Sequence, residues 1–147
     1  MFQDVKGYEG LYGITSCGKV WSYRSKKFLK PKVRKRDGRV EVLLSVNGER
    51  KTCFVHRLVA EAYIPNPLGL PEVNHKDENP AHNYVGNLEW CDRMYNQHYG
   101  TAIERMGKSK SKPVYCVELN QEFYGAREAE RQTGVSHVCI SKCCRGT

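Results

Sequence analysis

The chain has 147 residues, a formal net charge of +8 and seven cysteines, with a mean hydropathy of −0.65. That length suits one domain or a few very small ones, and no apolar run approaches the ~20 residues of a membrane helix. The first ten residues, "MFQDVKGYEG", carry no basic region followed by an apolar one, so a secretory signal is not read there and cytoplasmic residence is the expectation.

An odd cysteine number without a Cys-x-x-Cys pair argues against a disulfide framework and against a zinc knuckle, so most cysteines are expected to be small buried hydrophobes. A zinc-stabilised interaction module remains the minor alternative. The charge is unevenly spread. Ten Lys or Arg and one acid, Asp37, lie between Lys19 and Arg39, whereas His56 to Tyr99 holds three bases and six acids. A polar, slightly acidic segment between basic ones suits a cation site held against a polyanion, and a solvated face is the competing reading.

The first expected module, residues 1–54, is antiparallel β. "LYGITSCGKVWSY" reads as two strands about a glycine turn. In "RVEVLLSVNGERKTCFV", Asn47-Gly48 supplies the two positive φ angles of a type I′ hairpin turn. The basic run before it makes Lys26, Lys27, Lys30, Lys32, Arg34, Lys35, Arg36 and Arg39 the expected DNA contacts, since basic β-ribbons can lie in a groove.

The second module is read as residues 55–106. Val55, Leu58, Val59, Ala62 and Tyr63 form one helical face, stopped by Pro65 and Pro67. A loop crowded with Asn and His follows, "EVNHKDENPAHNYVGNLEW", flanked by strand-like residues. "CDRMYNQHYGTAIERM" then reads as one helix capped by Asp92, with Met94, Tyr95, His98, Tyr99, Ala102, Ile103 and Met106 on its apolar side. Residues 107–112 are expected to be a flexible basic linker. Residues 113–147 read as a hairpin, then helix, tight turn at Gly134, and helix capped by Ser136. Ala129, Val135 and Ile140 are spaced to pack the helices together, which is a helix-turn-helix pattern.

An Asn/His loop buries little, so packing is a poor reason for it. Phosphodiester hydrolysis needs a base for the attacking water and a cation for the developing charge. A neutral imidazole serves as base near pH 7. Mg²⁺ takes only one or two protein oxygens and keeps waters for the rest. His75 beside Asn74, with Asn96 one turn into the next helix, is a sufficient set.

"VNHKDENPAHNYVGNLEWCDRMYNQH" resembles the HNH nuclease motif, in its ββα-metal form, of phage intron-encoded homing endonucleases. "VHRLVAEAYIPNP" resembles the helix that leads into it, "DVKGYEGLYGITSCGKVWSY" their N-terminal modular DNA-contact motif, and residues 113–147 their helix-turn-helix module. The resemblance implies an α+β chain with an N-terminal antiparallel β module, a central ββα-metal core and a C-terminal helix-turn-helix. It implies site-specific DNA cleavage, a nick by a monomer, with one Mg²⁺ (or Mn²⁺) per site and no zinc.

By that resemblance His75 is the general base. Asn74 and Asn96 are metal ligands, and His98 assists or substitutes as a ligand. Asn87 braces the loop and so holds His75, and Asp77 orients His75 or joins the loop. No role is assigned to His82. Several such nucleases carry Asp where this chain has Asn74. His137, Ser141, Lys142 and Arg145 are the groove-facing residues expected on the last helix. The alternative is a non-catalytic DNA-binding protein or repressor derived from such a nuclease.

Overall fold

A computed structural model describes residues 2–101, 103, 107, 108 and 110–145. The chain divides into two compact units, Met1–Asn96 and Gln97–Thr147.

In the first unit, β1 (Gln3–Asp4), β2 (Tyr12–Ile14), β3 (Val20–Ser22) and β4 (Lys27–Phe28) pair antiparallel in chain order. A second antiparallel sheet contains β5 (Lys32–Val33), β6 (Val40–Val46) and β7 (Glu49–Phe54). Asn47 and Gly48 both take positive φ, 50° and 83°, and so close the expected I′ hairpin, with Val46 opposite Glu49. Helix α1 (Val55–Tyr63) follows directly. It stops at Ile64, which is extended because Pro65 disfavours the helical region before it. A ribbon of β8 (Glu72–His75) and β9 (Leu88–Cys91) comes next, and a one-turn 3₁₀ helix, Val85–Asn87, leads into β9.

One core joins these elements. Val5, Ile14 and Val20 come from the first sheet side, Val42 and Leu44 from β6, Val55, Leu58, Val59 and Ala60 from α1, and Val73 and Leu88 from the ribbon. Each burial of a Val, Ile or Leu contributes roughly 1.5–3 kcal/mol, and that of Ala60 less. The boundary expected after residue 54 therefore falls inside this unit, between β7 and α1, with side chains from both sides in one core. Two hydrogen bonds tie α1 in place: Tyr63 Oη donates to Ile14 O (2.8 Å) and Trp90 Nε1 donates to Ile64 O (3.0 Å).

Helix α2 spans Arg93–His98. Asp92 Oδ1 accepts from Tyr95 N at 2.7 Å, as a cap should. The single helix expected to run to Met106 is interrupted, because Gly100 takes φ 53°, the left-handed conformation that ends helices. Ala102 and Met106 lie outside the described residues. Residues 107, 108 and 110, expected as flexible linker, have helical backbone. Lys108 Nζ sits 5.6 Å from the Tyr124 ring centroid.

In the second unit, β10 (Val114–Cys116) pairs with β11 (Gln121–Phe123), and α3 (Ala126–Thr133) and α4 (His137–Cys143) follow. Gly134 is left-handed (φ 75°) after α3, and Ser136 Oγ accepts from Val138 N at the start of α4. Among the described residues, Phe123 and Ala129 are its buried apolar side chains, while Val135, expected between the helices, is 51% exposed. The cysteines also depart from expectation. Cys91 alone is buried, and Cys17, Cys139, Cys143 and Cys144 are exposed free thiols, because the second unit is too small to cover the last three.

Candidate active site

The ribbon sorts its residues by strand alternation. Register pairs Glu72 with Cys91, Val73 with Trp90, Asn74 with Glu89 and His75 with Leu88. Val73, His75, Leu88 and Trp90 share the face toward α1. Glu72, Asn74, Glu89 and Cys91 share the face that α2 covers, through Tyr95 and Asn96.

Asp77 is the hub of the loop between the strands. Its Oδ1 accepts from Asn79 N (2.9 Å) and Asn87 Nδ2 (2.8 Å), and its Oδ2 lies 2.6 Å from His82 Nδ1. His82 first, then the Asn79 amide and Asn87, hold the Asp77 carboxyl down at about 2. Asn87, 3% exposed, also accepts from Asp77 N through Oδ1 and donates to His82 O. Asn87 thus ties both ends of the loop together. Asp77 bonds to His82 rather than to the His75 ring, and His82, which had no assigned role, is the hub's partner.

The residue on the His75 ring is Asn83. His75 Nε2 lies 3.0 Å from Asn83 Oδ1, and Asn83 Nδ2 donates to Ala81 O at 3.0 Å. With its nitrogen engaged on a carbonyl, Asn83 can offer His75 only an acceptor. Nε2 therefore carries the hydrogen and Nδ1 the free lone pair. Burial pushes His75 below the ordinary imidazole range, against the upward pull of the Asn83 bond and Asp77, which leaves it neutral at pH 7. No role was expected of Asn83. A loop without periodicity carries no signal for which asparagine meets the ring.

Two further contacts set this pair. Gly18, in the β2–β3 turn at φ 84°, approaches so closely that a Cβ would stand 3.0 Å from Asn83 O and 3.3 Å from Asn83 Cβ. Val85 N also donates to Ser16 O (2.9 Å) in the same turn. On the other side, the His56 ring of α1 meets the His75 ring edge-on, centroids 5.1 Å apart, and stacks on Phe54 at 5.5 Å. His56 is 5% exposed, its Nδ1 has no hydrogen-bond partner among the described residues, and burial, then His75, drives it to about 3. His56 lies beside the expected apolar stripe of α1 and is buried because the ribbon covers that side.

On the opposite face, Asn74 Nδ2 donates to Glu89 Oε1 (2.8 Å), and Asn96 Nδ2 donates to Glu72 Oε2 (2.5 Å). Among the described residues no three His, Cys, Asp or Glu side chains converge as a cation cage. A divalent ion here would use the two carboxamide oxygens and waters, a hard donor set that fits Mg²⁺ or Mn²⁺. His98 is exposed, and two residues past Asn96 it leaves the helix about 200° around from it.

The expected DNA contacts fall into two kinds. Lys26, Lys27, Lys30, Lys32, Lys35, Arg36 and Arg39 are exposed. Arg34 is half-buried, paired with Asp37, and lies 4.8 Å over Phe54. Arg39 Nε is 3.7 Å from Asp37 as well. The turn carrying them abuts the loop, since a Cβ on Gly38 would stand 3.1 Å from Pro80 Cγ. In the second unit, Lys142 and Arg145 are exposed and Ser141 is half-buried. His137 Nδ1 is engaged by Glu130 Oε2 at 2.7 Å.

Residues 2–45 match the NUMOD4 motif. The chain is 37% identical over 144 residues to the uncharacterized HNH endonuclease L245 of Acanthamoeba polyphaga mimivirus, covering 92% of this chain but 41% of that protein. It is 34% identical over 117 residues to DNA endonuclease I-HmuI of Bacillus phage SP01, covering 80% of this chain and 67% of the relative. A solved structure of DNA binding and cleavage by the HNH homing endonuclease I-HmuI superposes with a TM-score of 0.60 at 30% identity, over 99% of this chain and 90% of that one. Likeness of this extent, in sequence and in fold together, makes the chain an α+β member of the HNH homing endonuclease family.

Proposed function

We propose that the protein is a Mg²⁺-dependent DNA endonuclease that nicks duplex DNA at a specific site, with His75 as general base. The observation that carries this reading is the Asn83–His75 pair. It holds a buried, neutral imidazole with its Nδ1 lone pair free at the last residue of β8, one residue past Asn74, which lies on the other face of the ribbon with its oxygen turned away from Glu89. His75 Nδ1 takes the proton of the attacking water, and Asn83 keeps the ring from turning during the transfer. Asn87 and Asp77 keep the loop in the shape that places Asn83. Asn74 and Asn96 would hold the divalent ion, which supplies positive charge for the scissile phosphate and the departing 3′ oxygen. The exposed Lys and Arg residues of the first unit, with Lys142 and Arg145 of the second, neutralise backbone phosphates. One such site per chain favours a single-strand nick by a monomer.

Replacing His75 with Ala lowers nicking by about 10²–10⁴-fold or more, while DNA affinity by gel shift stays within twofold. Unchanged nicking by that variant would remove His75 from the mechanism. Binding weakens steeply with salt because phosphate contacts release counterions. A second reading, a DNA-binding protein without cleavage, is favoured by Asn74, which leaves the ligand pair without a formal charge. Nicking abolished by EDTA and restored by Mg²⁺ excludes it.

A further inference from the structure

Asn74 raises a problem of charge. Two neutral carboxamides attract a divalent ion weakly in competition with water. The structure places two carboxylates directly behind them. Glu89 lies opposite Asn74 in the ribbon and accepts its Nδ2 at 2.8 Å; the same Oε1 takes Tyr95 Oη at 3.3 Å. Glu72, two residues before Asn74 and so on the same face, accepts Asn96 Nδ2 at 2.5 Å. The two bonds also settle which way each carboxamide points. A carboxylate only accepts, so the amide nitrogen must face it and Oδ1 must face away. Cys91, on the same face, has its thiol pushed up to about 11, by burial first and then by Glu72, Glu89 and Asp92.

We propose that Glu89 and Glu72 are positioning residues for the cation. They orient the oxygens of Asn74 and Asn96 outward and supply, from behind the ligands, the negative charge that Asn74 lacks. This inference rests on the reading of that face as a divalent-ion site. It follows that Asn74→Asp is no simple improvement. It would set two carboxylates against each other where an amide now donates to one.

The test is a Mn²⁺ titration of the full chain, followed by the loss of the free-ion electron paramagnetic resonance signal, with thermal melting to confirm folding. Glu89→Gln and Glu72→Gln each weaken Mn²⁺ affinity, by about tenfold for one unit of charge lost near a divalent ion in high dielectric. Asn74→Asp alone gains less than twofold. The pair Asn74→Asp with Glu89→Gln restores a donor facing an acceptor and binds at least as tightly as the native chain. That pair carries the test should Glu89→Gln fail to fold. Native affinity in both Gln variants, or a tenfold gain from Asn74→Asp with Glu89 in place, overturns the inference and leaves the metal-site reading standing. Absence of Mn²⁺ binding by the native chain overturns both.

Discussion

The two units solve different problems with different amounts of core. The first brings aliphatic side chains from two sheets, a helix and a ribbon into one interior, and on that interior it fixes a loop of carboxamides. The second buries Phe123 and Ala129 and leaves an apolar groove of about 840 Å³, lined in part by Val117, Leu119, Cys139 and Cys143. Val117 is 77% exposed and Leu119 55%. The proton transfer proposed for His75 would lose rate if a group moved by a fraction of an ångström, and its loop rests where packing is dense. The phosphate contacts proposed for Lys142 and Arg145 would tolerate far more looseness, because charge acts over distance.

That contrast can be broken most directly by core deletion. Leu44, fully buried in β6, loses ~2–5 kcal/mol on replacement by Ala. Leu119→Ala in the second unit costs less than ~0.5 kcal/mol, as an exposed side chain should. Urea unfolding of both variants checks this, and equal losses would erase the distinction between the units.

Acid comes next. His56 is held at about 3 when folded, against an ordinary 6.5. The unfolded chain therefore takes the proton first, so stability is full above 6.5 and declines as pH falls toward 3. The slope is at most about 1.4 kcal/mol per pH unit, and His75, also lowered, adds in the same direction. His56→Leu flattens that slope in melts taken from pH 7 to pH 5; a slope that persists unchanged places the titrating group elsewhere.

A smaller and more specific effect belongs to Gly18. Adding a methyl group at φ 84° against Asn83 costs about 1–2 kcal/mol of strain. It also shifts the partner of His75. Gly18→Ala is expected to lower kcat for nicking several-fold at unchanged DNA affinity, even though the residue lies in the N-terminal motif. A change in affinity alone would confine that turn to DNA contact. The least of these effects is the loss of the α2 cap. Asp92→Ala costs about 1 kcal/mol, and its consequence, read as weaker Mn²⁺ binding, falls on Asn96 one turn later.

Much of the fold was legible because its signals are local. Asn47-Gly48 sets a hairpin by backbone preference alone, Pro65 stops α1 in the sequence, Asp92 caps α2, and Gly134 and Ser136 bracket the last turn. Gly100 carries the same kind of signal, masked in the sequence by apolar spacing that continues on either side of it. The cysteines misled because burial depends on what the tertiary structure packs around them, not on their own character.

The sequence by itself determined the chemistry on offer: an imidazole next to one carboxamide, a second carboxamide one helical turn past a cap, and basic segments on either side. Which groups meet was decided only by the tertiary structure. Asn83 reaches the His75 ring because Gly18 lets another turn press on it, and Glu89 stands behind Asn74 because the ribbon pairs in one register across a twelve-residue loop. Such contacts depend on loop closure and strand register, which no local spacing specifies and only the shared core selects.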